Sequence, residues 1–140
     1  MKLPDCFHFK RSPSQEHIRI LYAACDVWLT ASRSEGFNLP AMEAMACRTP
    51  VVSTRAGWPA EAIRTGENGV LVDVDDVQGL SDGLYYVLSC DEVQWRRLSE
   101  NAFATATAGS WSKSTDLFEA ALKRAIRRTV DGELGTCAAV

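Results

Sequence analysis

Three short apolar runs, each followed by a stretch of helical periodicity, set the narrowest limit on what this chain can fold into. Asp26-Val-Trp-Leu-Thr30, Pro50-Val-Val-Ser-Thr54 and Gly69-Val-Leu-Val-Asp-Val74 are runs of strand length rich in Val and Leu. The first two are near-continuous rather than alternating, the pattern of strands covered on both faces. A fourth candidate strand is Phe7-His-Phe9. Ser12-Pro-Ser14 opens a helix running to about Ala24, with Ile18, Leu21 and Tyr22 on one face. Further helical stretches are predicted over residues 40–47, 59–64, 76–89, 92–107 and 112–129. The last repeats Phe118, Ala121, Leu122 and Ala125 at i, i+3, i+4 and i+7. Strands separated by helices of this length close as right-handed crossovers onto a parallel sheet, so the fold class is α/β.

At 140 residues the chain has room for one domain. Its net charge of −3 argues against nucleic acid as the main partner. Charge-free stretches such as residues 101–112 are polar or too short to span a bilayer, and the first residues lack an apolar signal run. These features read as a soluble, cytoplasmic protein. Five cysteines, an odd number without a CxxC pair, give no zinc or thioredoxin-type spacing. Cys25 and Cys47 follow small apolar residues and read as small buried hydrophobes. His8 and His17 have no partner at ligand spacing. Trp95 and Trp111 fall at helical positions and read as core or inter-helix anchors.

In open parallel sheets ligands sit at the carboxyl ends of strands, which directs attention to Ser32-Arg-Ser-Glu-Gly-Phe-Asn-Leu-Pro-Ala-Met-Glu43. Pro40 suits the first turn of a helix, Asn38 is a candidate N-cap, and Gly36 permits close backbone approach. Together they predict free N–H groups at a helix start, a site suited to phosphate. Glu43 is the one charged side chain between Leu39 and Cys47. Buried there, its carboxylate would need donors, and the two hydroxyls of a ribose would supply them. Glu35 would sit across the same cleft. On the residues alone, Glu43 as a helix-dipole complement and Glu35 as a solvated acid is an equally open reading.

The segment from Leu21 to Val52 resembles the signature region of family-4-type (group 1) retaining glycosyltransferases of the GT-B fold. Glu35 and Glu43 match the acids of the E-x7-E motif. Thr54-Arg-Ala-Gly-Trp-Pro-Ala-Glu61 resembles the following G-G-P-x-E stretch, and Asn68-Gly-Val-Leu-Val72 the N-G-x-L-V strand. The resemblance runs from about residue 7 to 112. It implies a Rossmann-like parallel sheet with flanking helices, part of a GT-B carboxy-terminal domain. Residues 1–130 would form this partial nucleotide-sugar-binding domain with a helical carboxy-terminal segment, and residues 131–140 a flexible tail. It further implies that Glu43 binds the ribose of a nucleotide-sugar and that Glu35, the catalytic acid residue of the pair, faces the transferred sugar. Main-chain N–H groups of Gly36, Phe37, Asn38 and Leu39 would hold sugar hydroxyls and diphosphate. A hexose would leave with retention of configuration. No metal and no cofactor beyond the donor substrate are implied.

Two substitutions depart from the family pattern: Arg48 and Trp58 stand where glycines are usual. Arg48 is expected at a helix C-terminus, and Trp58 either walls the donor pocket or fills it. The strand–helix units and acceptor domain that precede this segment in the family lie outside the sequence. The exposed edge of residues 27–29 is therefore expected to pair with residues 7–9 or to be covered by the acceptor domain or a second chain. Lys123, Arg124, Arg127 and Arg128 form a basic cluster, usually a solvated face and in some relatives a peripheral membrane contact. The alternative function is a truncated, non-catalytic binding or interaction module. A glycosidase pair built from Glu35 and Glu43 is a third reading, disfavoured because phosphate-binding geometry has no part in hydrolysis.

Overall fold

Helix α1 (Gln15–Ala23) begins where Ser14 accepts a hydrogen bond from the His17 N–H, the capping chemistry that Ser12-Pro-Ser14 predicts. Strands β1 (Trp28–Thr30), β2 (Val51–Thr54) and β3 (Gly69–Val72) follow in the order β1-β2-β3, all parallel. Trp28 pairs with Val51, and Val51 with Gly69. Helix α2 (Leu39–Ala46) connects β1 to β2, and the single turn α3 (Pro59–Ala62) connects β2 to β3. Helices α4 (Val77–Ser89), α5 (Glu92–Thr107) and α6 (Trp111–Val130) complete the chain. The computed structural model describes residues 6–131. The chain divides into two compact units, residues 1–107 and 108–140.

Alternation along β2 divides the core of the first unit. Val51 points into a cluster with Tyr22, Ala41, Ala44, Met45 and Ile63, whereas Val52 points into one with Val70, Val87 and Leu98. Helices therefore cover both faces of β2, and all four of its residues are buried, as its continuous apolar run predicts. Gly83 brings α4 close to the sheet, because a Cβ there would lie 2.9 Å from the Val70 side chain. Trp95 anchors α5 by donating its indole N–H to the Asp26 carbonyl at 2.8 Å. Among the described residues no helix is long and apolar enough to cross a membrane.

Several expectations are corrected. Residues 7–9 form no strand, and Phe7 and Phe9 are exposed. The edge of β1 is thus not closed by re-pairing within the described chain. A three-residue ladder with no covering layer gains too little burial to offset the entropy of ordering it. β1 itself is only half-buried, with Leu29 42% exposed, because an edge strand lacks the neighbour that would cover it. Trp111 is 91% exposed rather than buried, and no residue of α6 is buried. Cys25 and Cys47 are half-buried rather than buried. The expected tail falls, from residue 132 on, outside the described residues.

Candidate functional site

The loops leaving the three strands meet at the carboxyl edge of the sheet. Thr54 at the end of β2 donates to the Ser32 carbonyl at 2.6 Å, and Arg33 pairs with Asp75 beyond β3 at 2.7 Å. The Trp58 N–H donates to the Phe37 carbonyl at 2.8 Å. Gly57 makes that approach possible. Its φ is +72°, and a Cβ there would stand 2.7 Å from the Phe37 carbonyl oxygen. The Trp58 ring stacks on Phe37, centroids 5.9 Å apart and planes inclined by 17°, and packs against the core beneath. The Trp58 ring thus sits between the Phe37 ring and the core of the first unit.

Asn38 occupies the N-cap position of α2 without capping it. Its backbone is left-handed (φ 73°, ψ 58°), and its side chain makes no cap hydrogen bond. The buried side-chain amide donates instead to Thr30 Oγ1 at 3.3 Å, and Thr30 donates to Ser53 at 2.8 Å. Asn tolerates this backbone region better than most residues, so the cap expectation gives way to a hinge pinned to the sheet. With Pro40 next but one, the chain enters α2 abruptly. Among the described residues the N–H groups of Gly36, Phe37, Asn38 and Leu39 donate to no protein acceptor. A Cβ on Gly36 would meet nothing within 4 Å, so the space before the loop is open. The positive end of α2 and four N–H groups without a protein acceptor thus fall, among the described residues, within one short stretch of backbone.

The two acids stand differently. Glu35 is exposed and accepts from the Ser32 hydroxyl at 2.6 Å. Glu43 is exposed, on the face of α2 toward α1, because α2 buries Ala41, Ala44 and Met45 instead, so the condition of burial does not hold. Its donor is Tyr22, whose hydroxyl reaches Glu43 Oε2 at 3.0 Å. Burial, then that hydrogen bond and the Glu43 charge, push the Tyr22 pKa up from 10.0 to about 12. Burial also raises Cys47, with Arg19 opposing the shift and Glu43 adding to it, which disfavours the thiolate. The acids share no hydrogen-bond partner among the described residues. Two hollows in the first unit lie at the far end of α2, around Cys47 and Arg48, and border neither acid. Arg48 follows the helix with φ 66°, a conformation that favours glycine. It pairs with Glu100 and lies over the Phe103 ring, 4.1 Å from its centroid. Among the described residues no group of three or more His, Cys, Asp or Glu side chains could hold a metal ion.

Sequence reasoning missed Tyr22 and Gly57. Tyr22 reads as one member of an apolar helix face, and only the tertiary contact shows its hydroxyl on Glu43. Gly57 carried a signal in its position beside Trp58, where the glycine pair of the resemblance is half kept.

A sequence profile described as "Glycosyl transferases group 1" matches residues 1–105, three quarters of the chain. The chain belongs to the group 1 glycosyltransferase family. A D-inositol 3-phosphate glycosyltransferase of Mycobacterium avium (strain 104) is 36% identical over 114 residues, 81% of this chain and 27% of that protein. The glycosyltransferase chain thus spans about a quarter of the length of the curated relatives it matches. Among solved structures, the C-terminal domain of the group 1 glycosyl transferase LpcC from Francisella tularensis superposes with a TM-score of 0.64 at 34% identity. That match covers 71% of this chain and 51% of the other. HepE from Anabaena, crystallised with UDP and glucose, gives a TM-score of 0.60 at 33% identity over 65% of this chain and 25% of its own. The glycosyltransferase fold is therefore Rossmann-like α/β, part of a GT-B carboxy-terminal domain.

Proposed function

We propose that this chain is the donor-binding part of a nucleotide-sugar-dependent glycosyltransferase that transfers a hexose with retention of configuration. One observation carries the reading: four consecutive N–H groups, from Gly36 to Leu39, without acceptors among the described residues at the head of α2, bracketed in sequence by Glu35 and Glu43. The crystallisation of HepE with UDP-glucose supports it. In this reading Glu43 accepts from the ribose hydroxyls, Glu35 faces the hexose, and the amides of Gly36, Phe37, Asn38 and Leu39 bind the diphosphate and sugar. As the glycosidic bond lengthens, negative charge grows on the diphosphate. Fixed amides and the α2 dipole stabilise that charge more in the transition state than in the ground state. An acceptor-binding domain, or a second chain along β1, belongs to the same reading. So does binding that needs no metal.

A second reading, a binding module without turnover, is favoured by the position of the two hollows, away from both acids. Calorimetry with UDP and GDP in EDTA, on the chain and on Glu43→Ala, tests the donor site. Binding that weakens about tenfold or more in the variant is expected, the loss of a charged hydrogen bond. The absence of heat at millimolar nucleotide overturns the donor-site reading and favours the module. Proton NMR of sugar released from UDP-glucose then separates them. The α-anomer seen before mutarotation marks retention, the β-anomer refutes it, and binding without release leaves the module.

A further inference from the structure

Glu43 is exposed on α2, and an exposed glutamate ordinarily samples many rotamers, which it must give up on binding a ligand. Here one oxygen is already held. The donor is Tyr22, only 6% exposed, whose ring meets Trp28 edge-on with centroids 4.6 Å apart and planes at 74°. The backbone of Tyr22 is fixed as well, its carbonyl accepting from Thr49 Oγ1 at 2.6 Å. Ring and backbone are thus locked in the core, and the hydroxyl reaches Glu43 Oε2 at 3.0 Å. Among the described residues Oε1 of Glu43 accepts no hydrogen bond. A hydroxyl has one proton to donate; with it committed to Oε2, the other carboxylate oxygen is left for a ligand. Glu35 has no such support, since its partner Ser32 lies three residues away in the same loop.

We infer that Tyr22 is a positioning residue for the donor site, holding the Glu43 carboxylate so that its second oxygen meets the ribose 2′-hydroxyl. The inference rests on the donor-site reading above. Helix-to-helix packing alone would need only the Tyr22 ring, and Tyr22→Phe keeps the ring while removing the hydroxyl.

The test titrates the full chain and Tyr22→Phe with UDP and with 2′-deoxyuridine 5′-diphosphate, and with the guanine pair, by calorimetry. The expected result is a loss of about five- to tenfold in affinity for the ribonucleotide, the scale of one lost hydrogen bond. The deoxynucleotide should change less than twofold. Glu43→Ala, which removes the carboxylate that Tyr22 holds, supplies the second arm: in that background adding Tyr22→Phe should have no further effect on ribonucleotide affinity. Equal losses for both sugars, no loss for either, or additive losses in the double variant each overturn the role of Tyr22 while leaving the donor site standing. Failure of the unsubstituted chain to bind any of the four nucleotides removes the donor site itself, and the role with it.

Discussion

Gly57 sets the position of the loop between β1 and α2. Its φ of +72° is open to glycine at little cost, and the Phe37 carbonyl oxygen lies where a Cβ would project. A side chain there meets two penalties at once, a left-handed backbone worth about 1–2 kcal/mol and a collision with backbone that cannot swing aside. Gly57→Ala should therefore cost about 2 kcal/mol or more of stability in urea unfolding. It should also weaken nucleotide binding, because relief of the clash must move the Phe37 peptide and the neighbouring N–H groups. An alanine variant as stable as the parent would mean that the loop relaxes freely.

At the scale of the element, α2 is held at both ends by residues with positive φ. Asn38 precedes it and Arg48 follows it. At the entry, the buried Asn38 amide reaches Thr30 on β1. Removing that amide and demanding the same backbone of another side chain should destabilise the fold. Asn38→Ala is expected to cost roughly 1–3 kcal/mol, the backbone strain and a lost buried hydrogen bond together. Asn38→Gly should recover the backbone share and leave the hydrogen-bond share. The pair, compared by urea unfolding, separates the two contributions; equal losses for Ala and Gly would show that backbone strain contributes nothing. At the exit, the strain of Arg48 is set against its ion pair with Glu100 and its place over Phe103 on α5.

The whole molecule is uneven in how deeply its parts are buried. All of β2 is covered, while α6 buries none of its 20 residues, and Phe118, Leu122 and Ile126 stand open on it. Helices owe most of their stability to packing of an apolar face, and local opening costs least where burial is least. Amide hydrogen exchange should therefore be fast along α6 and slowest in β2, with protection differing by at least about a hundredfold, or 2.7 kcal/mol of opening energy. Equal protection of the two would show that the apolar stripe of α6 is covered in solution. The free edge of β1, with Leu29 half exposed, is the corresponding open surface on the sheet.

The linear pattern was enough to determine the α/β class, the three strands and most helix positions, because hydrophobic periodicity is a local property that burial selects directly. The start of α2 was legible for the same reason, through the preference of Pro40 for a first helical turn, whereas the left-handed backbone of Asn38 was not. Three-dimensional packing decided the rest. Residues 7–9 have strand composition, yet a strand needs a partner, and pairing is not encoded in the run itself. The apolar neighbours of Glu43 left open whether it is buried. Which side of α2 turns inward depends on what α1, the sheet and α5 present to it. Tyr22 acquires its place beside Glu43 from 21 residues away in sequence, a contact no local signal records.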